Sequence, residues 1–164
     1  MNKDFFKKDS REVAFALLES NIVREVGNEM FSLEVNEVEI YEGFKDKASH
    51  AYKGKRGRNK VMFEEGGVLY VYLVYGIHSI LNVVTDKKDY PAAVLIRGAG
   101  KFSGPGRLTK ALGISTLLNR KEVGKESGLW FERNRRAGKI RMVPRVGIHY
   151  AEEWKEASLR FIKE

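Results

Sequence analysis

The chain has 164 residues, of which 43% are hydrophobic and 32% are charged, a mixture that excludes a disordered chain and is typical of a globular protein. Thirty basic residues against 22 acidic ones give a net charge of +8, which favours a polyanionic partner. Cysteine is absent, which excludes disulfides, thiol catalysis and thiolate metal sites in this sequence. No apolar run approaches the length of a membrane span, and the first residues lack the apolar centre of a signal peptide.

The positive charge is concentrated in two segments. Residues 45–60 contain seven basic side chains and one acidic side chain, Asp46. Residues 133–145 contain six basic side chains and no acidic one. Either segment alone is equally compatible with an ordinary solvated loop. The two together favour a nucleic acid as the partner.

The first predicted element is a helix. It begins at Asp9 or Ser10, either of which can cap it, and runs to about Val26. The apolar side chains that form one stripe along it are Val13, Leu17 and Leu18. Because this spacing places them on a single helix face, we expect the helix to pack against the core.

The next element is a strand over residues 30–41, where polar and apolar side chains alternate. Its apolar side chains lie on one face from Phe31 to Val35. The next apolar residues, Val38 and Ile40, have even numbers and would therefore lie on the other face. Unless a bulge intervenes near Asn36, the first face continues with polar side chains. Those side chains are Glu37, Glu39 and Tyr41.

The rest of the chain predicts a long loop over residues 43–60, a hairpin with strands at 68–75 and 79–85, and a buried strand at 92–97. A glycine-rich loop at 98–106 and a short helix from residue 106 follow. The last predicted elements are a late strand at 139–148 and a closing segment at 151–162. Because strands outnumber helices and short turns join several of them, the predicted class is α+β rather than a doubly wound parallel sheet. The length predicts one domain over residues 1–164.

Metal and cofactor sites are not predicted. The histidines, His50, His78 and His149, lack the close pairing of a metal-binding helix, and no cysteine can assist them. The run RGAGKFSGPG fails the phosphate-loop pattern because Phe102 occupies the position that needs a hydroxyl.

A set of polar and aromatic residues remains, and each member alone has an ordinary structural explanation. The set is Glu39, Tyr41, His50, Tyr72, Tyr75 and Asn82. The surrounding stretches are VEIYEGFKDKASH, GRNKVMF, GGVLYVYLVYGIHSILNVV, AAVLIR, SGPGRLTKALGI and RVGIHYAEEW with LRF. Together and in this order they resemble the alkyladenine or 3-methyladenine DNA glycosylases of bacteria and mammals. Only six residues separate Arg97 from Gly104, where members of that family usually carry a longer segment.

The resemblance implies a role for each position. Glu39 falls on the acid that activates water, and Tyr75 on the side chain that wedges into the minor groove and fills the gap in the base stack. Asn82 falls on the residue that crowds the 2-amino group of normal guanine. The positions that contact the flipped base are Tyr41, His50 and Tyr72. The positions expected at the DNA backbone are Arg97, Lys55, Arg56 and Arg58.

The resemblance also implies a single compact α+β domain with a curved, mainly antiparallel sheet, a protruding DNA-binding hairpin and a few flanking helices. The expected partner is damaged double-stranded DNA, with no cofactor and no membrane. We expect a cytoplasmic, nucleoid-associated monomer.

General physical chemistry supports this interpretation. A base inside a duplex must be extruded before it can be attacked, and aromatic stacking of roughly 1–3 kcal/mol per base is comparable to the cost of unpairing. Tyr72 and Tyr75, three apart on a predicted strand, would face opposite sides, one toward the pocket and one toward DNA. Glu39 would orient water and stabilise the positive charge that develops on the sugar. Repulsion from Glu37 on the same face is expected to raise the pKa of Glu39, unless Glu37 is exposed, in which case it would do little.

The sequence therefore predicts a monofunctional DNA glycosylase that removes alkylated or deaminated purines, such as 3-methyladenine, 7-methylguanine and hypoxanthine, and leaves an abasic site. The matching stretches offer no lysine nucleophile, so no strand cleavage is expected. The alternative is a non-catalytic module that binds nucleic acid through the same basic and aromatic residues. That alternative explains the charge but gives Glu39 no task.

Overall fold

The computed structural model describes residues 1–134, 136 and 138–164. The two α-helices are α1 (Ser10–Leu18) and α2 (Pro105–Ala111). The strands are β1 (Ser20–Val26), β2 (Glu29–Glu42), β3 (Leu69–Val74), β4 (His78–Val84), β5 (Ala92–Ala99), β6 (Phe102–Ser103), β7 (Leu129–Arg133), β8 (Ile140–Val143) and β9 (Arg160–Lys163). Short 3₁₀ helices cover Lys3–Lys7, Gly57–Phe63, Thr116–Leu118, Lys125–Ser127 and Glu152–Glu156.

The strands form one open, curved sheet with the order β3-β4-β5-β2-β1-β7. All of the described strand pairs are antiparallel, and the long strand β2 pairs with β1, β5 and β9. Helix α1 packs its buried apolar face, including Val13, Leu17 and Leu18, into the core against this sheet. The predicted α+β class with a mainly antiparallel sheet is confirmed. No helix in the described part of the chain is long and apolar enough to cross a membrane.

The first helix is shorter than predicted. Asp9 caps it, since its side chain accepts a hydrogen bond of 2.9 Å from the Arg11 N–H, but the helix ends at Leu18 and not near Val26. The residues that follow form β1 between β2 and β7. Two β-branched residues, Ile22 and Val23, lie in this segment, and their side chains suit a buried strand better than a helix end.

A bulge in β2 decides which side chains reach the cleft described below. The pairing with β5 shifts register between Val35 and Val38, which confirms the bulge near Asn36 that the sequence left open. Because the bulge adds a residue on one strand, Val35 and Val38 both enter the core although they are three apart. Glu39 therefore faces the opposite side from the core valines.

The C-terminal region departs most from prediction. The late strand, β8, ends at Val143 and not at residue 148. Pro144 follows it and has no N–H to continue a ladder, and Gly147 takes a positive φ of 75°. Residues 144–150 therefore form a loop that returns beside β2. The closing segment contains β9, which pairs with the middle of β2.

Candidate active site

A cleft of about 580 Å³ opens beside the β3–β4 hairpin. It is bounded by β2, the loop after β2, the hairpin, β5 and the loop of residues 144–150. The residues predicted from sequence that line it are Glu39, Tyr41, His50, Arg58, Tyr72, Tyr75, Asn82 and Arg97. The fold therefore brings eight of the ten predicted site residues together around one cavity.

Glu39 lies fully buried at the wall of the cleft, where two hydrogen-bond donors and one guanidinium surround its carboxylate. The Tyr41 hydroxyl donates to Oε2 at 2.8 Å, and the backbone N–H of Val146 donates to Oε1 at 2.8 Å. The Arg97 Nη1 atom lies 3.5 Å from Oε1. Burial raises the pKa of Glu39, while Arg97, the Val146 N–H and the Tyr41 hydroxyl oppose that rise. The site thus stabilises a carboxylate that is nonetheless easier to protonate than a solvated one.

Glu37 does not have the role that was expected of it. Its carboxylate accepts hydrogen bonds from Arg97 Nε at 3.0 Å and from Arg160 Nη1 at 3.1 Å. Burial, not repulsion from Glu37, is the leading cause of the raised pKa of Glu39. The expectation of like-charge repulsion was wrong because two arginines neutralise Glu37.

Arg97 also differs from its expected setting. Its side chain is only 14% exposed, and it bridges Glu37 and Glu39. A guanidinium held in this way is oriented toward Glu39 at the wall of the cleft rather than displayed on the surface for a phosphate. Contact between Arg97 and the DNA backbone stays a prediction.

Aromatic rings form part of the lining of the cleft. The rings of His50 and Tyr72 meet edge to face with centroids 4.9 Å apart, and Tyr70 lies 4.9 Å from Tyr72. The Arg58 guanidinium sits 5.0 Å from the centroid of the Tyr72 ring. Such tightly packed rings have few alternative rotamers, so they form a firm surface for a flat ligand.

His50 is held as a neutral imidazole. Burial and, secondarily, the charge of Arg58 lower its pKa to about 4. Its Nδ1 atom lies 3.1 Å from the Tyr70 hydroxyl. Its backbone carbonyl accepts a hydrogen bond of 2.7 Å from Asn59 Nδ2, which fixes the loop that carries it. At neutral pH His50 therefore offers the cleft a polar ring without a charge.

Asn82 reaches the cleft from β4, where it is 3% exposed. Its Nδ2 atom donates to the Tyr70 carbonyl at 3.1 Å. Because this bond orients the amide, Asn82 presents a fixed polar edge to any ligand that enters.

Tyr75 lies at the tip of the hairpin, where it is 91% exposed. It is not part of a strand, because β3 ends at Val74, and it adopts a positive φ of 53° followed by Gly76 at 71°. The turn is closed by the Ile77 N–H, which donates to the Val74 carbonyl at 3.2 Å. The turn, and not the alternation of a strand, therefore separates Tyr75 from Tyr72.

The basic loop contributes unequally to the cleft. Arg58 lines it, whereas the other two predicted phosphate-binding residues, Lys55 and Arg56, lie outside its lining. Lys55 is 3.4 Å from Asp89 and lies over the Phe63 ring at 5.5 Å. Both side chains remain exposed, so contact with a polyanion stays a prediction for them.

The second basic cluster is largely compensated by acids that are distant in sequence. The ion pairs are Arg133 with Glu19, Arg136 with Glu34 and Arg141 with Glu164. Arg145 is buried against Asp46. Arg135 lies outside the described residues. The sequence does not show which acids fold back onto residues 133–145, and contact of this segment with a nucleic acid stays a prediction.

Sequence reasoning missed two contributors from the loop of residues 144–150. Val146 supplies a backbone N–H to Glu39, a role that no side-chain pattern can reveal. Tyr150 lines the mouth of the cleft, and its hydroxyl donates to the Ala48 carbonyl at 3.3 Å. The stretch RVGIHYAEEW was a usable signal, but the sequence assigned no task to its members. Among the described residues, no group of three or more potential metal ligands is close enough to hold an ion.

Comparison with known proteins finds similarity to DNA glycosylases that act on methylated purines. The sequence pattern of the methylpurine-DNA glycosylases matches residues 4–102 and 98–164. The chain is 39% identical over 171 aligned residues to a candidate 3-methyladenine DNA glycosylase of Methanocella arvoryzae, covering 92% of this chain and 86% of that protein. Proteins with the same description from Clostridium novyi and Legionella pneumophila strain Corby are 35% and 38% identical. Those alignments cover 98% and 97% of this chain, and 93% and 91% of the relatives.

The conformation of Tyr75 predicts a stabilising substitution. Tyr75→Asn should raise the free energy of unfolding by about 0.5–1 kcal/mol, because asparagine adopts positive φ more readily than tyrosine. The change is measured as a higher midpoint of urea unfolding. The exposed ring has little packing to lose. Tyr75→Val is the matched control, and it should lower the midpoint because a β-branched side chain is strained at this φ. A lower midpoint for Tyr75→Asn would show that the turn does not strain Tyr75.

The lowered pKa of His50 predicts a pH-dependent stability. Between about 6.5 and about 4 the unfolded chain binds a proton at His50 that the folded chain does not, so stability falls as pH falls through this window. His50→Gln should reduce this decline, as measured by thermal unfolding at a series of pH values. His149→Gln, at an exposed histidine, should retain it. Identical pH profiles for the wild type and His50→Gln would contradict the assignment.

Proposed function

The chain belongs to the methylpurine-DNA glycosylase family of hydrolases, and we propose that it flips damaged purines out of duplex DNA and hydrolyses their N-glycosidic bond. The observation that carries the proposal is the placement of Glu39. A fully buried carboxylate with two hydrogen-bond donors and one guanidinium around it lies at the wall of an aromatic cleft large enough for a purine. The reaction leaves an abasic site.

Extrusion of the base is assigned to the hairpin. Tyr75 projects from the tip as a largely exposed ring, next to Ile77, which is 73% exposed. Inserting such a ring into the duplex fills the space that the departing base leaves. Stacking against Tyr72 inside the cleft contributes roughly 1–3 kcal/mol, which offsets most of the few kcal/mol needed to unpair the base.

Hydrolysis is assigned to Glu39. Its carboxylate accepts a proton from a water molecule as that water attacks the anomeric carbon, and the purine leaves with the electron pair of the broken C–N bond. Arg97, the Tyr41 hydroxyl and the Val146 N–H hold the carboxylate in place. The negative charge also stabilises the oxocarbenium character of the sugar.

The charge states in the cleft favour cationic purines. Burial raises the pKa of Tyr72 to about 12, and burial lowers that of His50 to about 4, so neither is a ready proton donor to a leaving base at neutral pH. An N-alkylated purine such as 3-methyladenine or 7-methylguanine already carries a positive charge and needs no donor. Its charge also favours the ionised form of Glu39. We therefore expect slower release of neutral hypoxanthine.

Selection against normal guanine is assigned to Asn82. Its amide is oriented by the Tyr70 carbonyl and cannot turn away freely, so it crowds a 2-amino group. We expect a monofunctional enzyme that does not cut the strand, since among the described residues the cleft lining includes no lysine to act as a nucleophile. Symmetry is not required for base flipping, and we expect a monomer.

The alternative of a non-catalytic nucleic-acid-binding module does not account for Glu39. Burying a carboxylate costs several kcal/mol unless partners compensate. A surface that only attracts phosphates would gain nothing from an anion in its binding cleft. The arrangement is reasonable only where that anion acts on bound substrate.

Replacement of the carboxylate tests the proposal. Glu39→Gln should lower the single-turnover rate of base release by about 10²–10⁴-fold, the range for loss of a general base, while lesion binding persists. The substrate is a duplex with one 7-methylguanine or one hypoxanthine, and alkali cleavage at the resulting abasic site reports release. Binding is measured separately by fluorescence anisotropy.

Glu34→Gln is the matched control, because Glu34 lies on the same strand but pairs with Lys163 outside the cleft. It should release bases at the wild-type rate. Base release by Glu39→Gln at that same rate would exclude Glu39 as the general base. Binding of the lesion duplex by the wild type without any release would favour the non-catalytic module.

A further inference from the structure

A buried ion pair lies directly behind the cleft. Arg145 and Asp46 have side chains with no solvent exposure. Arg145 Nη1 donates to one carboxylate oxygen of Asp46 at 2.6 Å, and Nη2 donates to the other at 2.8 Å. Planar, two-pronged contacts of this kind fix both partners in orientation as well as in distance.

The pair joins three segments that carry site residues. Arg145 Nη1 also donates to the backbone carbonyl of Ile40, in β2, at 2.8 Å. Asp46 accepts from the backbone N–H of Ala48 at 3.0 Å, in the loop that leads to His50. The loop of residues 144–150 is thereby tied to β2 and to the His50 loop at one point.

Two hydrogen bonds to Glu39 depend on the position of Arg145. Its guanidinium carbon lies 4.7 Å from the centroid of the Tyr41 ring, whose hydroxyl donates to Glu39. The next residue along the chain, Val146, donates its backbone N–H to the other oxygen of Glu39. A shift of Arg145 would therefore disturb both hydrogen bonds to the carboxylate.

Stability alone does not explain the pair. Replacing a buried ion pair with neutral groups of similar volume is often neutral or stabilising, since burial of two charges cancels most of their attraction. We propose that Arg145, anchored by Asp46, is a positioning residue that orients Tyr41 and the Val146 N–H on Glu39. This inference rests on the proposed base-release reaction.

The charged and titratable groups around Glu39 predict how loss of Arg145 would change the pH dependence of the reaction. Tyr41 faces it from β2, Arg97 from β5 and Arg145 from the loop of residues 144–150. Glu37 is held by Arg97 and by Arg160 of β9. Arg145 favours the ionised form of Glu39, so its removal raises the pKa of Glu39. Because the base must be ionised, the acidic limb of the pH–rate profile should move to higher pH.

The test variant is Arg145→Met combined with Asp46→Asn. It removes both charges together, so neither is left unpaired, and asparagine keeps an acceptor for the Ala48 N–H. We expect single-turnover release of 7-methylguanine to fall by about 100-fold, the size of effect that small misplacements cause. We expect affinity for the lesion duplex to stay at the wild-type value, and the acidic limb to move to higher pH.

Arg24→Met is the matched control. Arg24 is also a buried arginine, bonded to the carbonyls of Glu25 and Gly128, but it lies away from the cleft. Its replacement should lower the melting temperature without changing the rate or the pH profile. Arg145→Lys keeps the charge but loses the two-pronged contact. Arg145→Lys should leave the acidic limb of the pH–rate profile in the wild-type position and still lower the rate of base release. If the double variant fails to fold, Arg145→Lys supplies the test.

A wild-type rate and pH profile in the double variant would overturn the inference, as would a wild-type rate in Arg145→Lys. Base release by the wild type and by Arg24→Met in the same assay would keep the proposed function in either case. Failure of the wild type itself to release a base would remove the proposed function and this inference together.

Discussion

The structure depends on keeping a buried carboxylate ionisable at the wall of the cleft. Burial disfavours the charged form of Glu39, and groups from three elements oppose that effect. Tyr41 of β2 and Val146 of the C-terminal loop donate hydrogen bonds, and Arg97 of β5 forms an ion pair. Tyr41 lies two residues along the same strand, Arg97 comes from the paired strand β5, and Val146 is close only because the loop after β8 returns beside β2. The fold is therefore the means by which one side chain is held in a given charge state and orientation.

The hairpin carries two tyrosines in different settings, Tyr72 packed in the cleft and Tyr75 exposed at the tip. Tyr72 is fixed by His50, Tyr70 and Arg58, so it can serve as a preformed platform. Tyr75 is solvated and sits in a backbone conformation that tyrosine rarely adopts. Strain of this kind persists where the surrounding structure holds it and where function uses the result. The proposed flipping mechanism uses both: a firm surface inside and a ring outside.

The strands that frame the site were predictable from sequence because their signals were local, whereas the site residues on them were predicted from the family resemblance and their roles stay predictions. The strand that carries Glu39, the hairpin and the buried strand β5 all follow from residue alternation and turn residues, and the bulge near Asn36 was visible as a break in parity. The end of α1 was not predictable, because Ile22 and Val23 fit the end of an apolar helix as well as a strand until β2 and β7 are present to pair with them. Tertiary pairing decided that segment.

The remaining misses share one physical cause: they depend on partners far away in sequence. Glu37 was expected to repel Glu39 because the arginines that neutralise it, at positions 97 and 160, cannot be assigned to it from the chain alone. Arg145 was counted as part of a basic patch because its partner lies 99 residues earlier, at Asp46. The Val146 N–H was invisible because every residue except proline has one.

The most direct test of the account is a crystal structure of the Glu39→Gln variant bound to a duplex that contains one hypoxanthine. The account predicts that the purine lies outside the helix in the cleft, stacked against Tyr72. The anomeric carbon of its deoxyribose should face residue 39, and the Tyr75 ring should fill the vacated space. A complex in which the purine stays paired in the duplex, or in which the DNA contacts another surface and leaves the cleft empty, would contradict it.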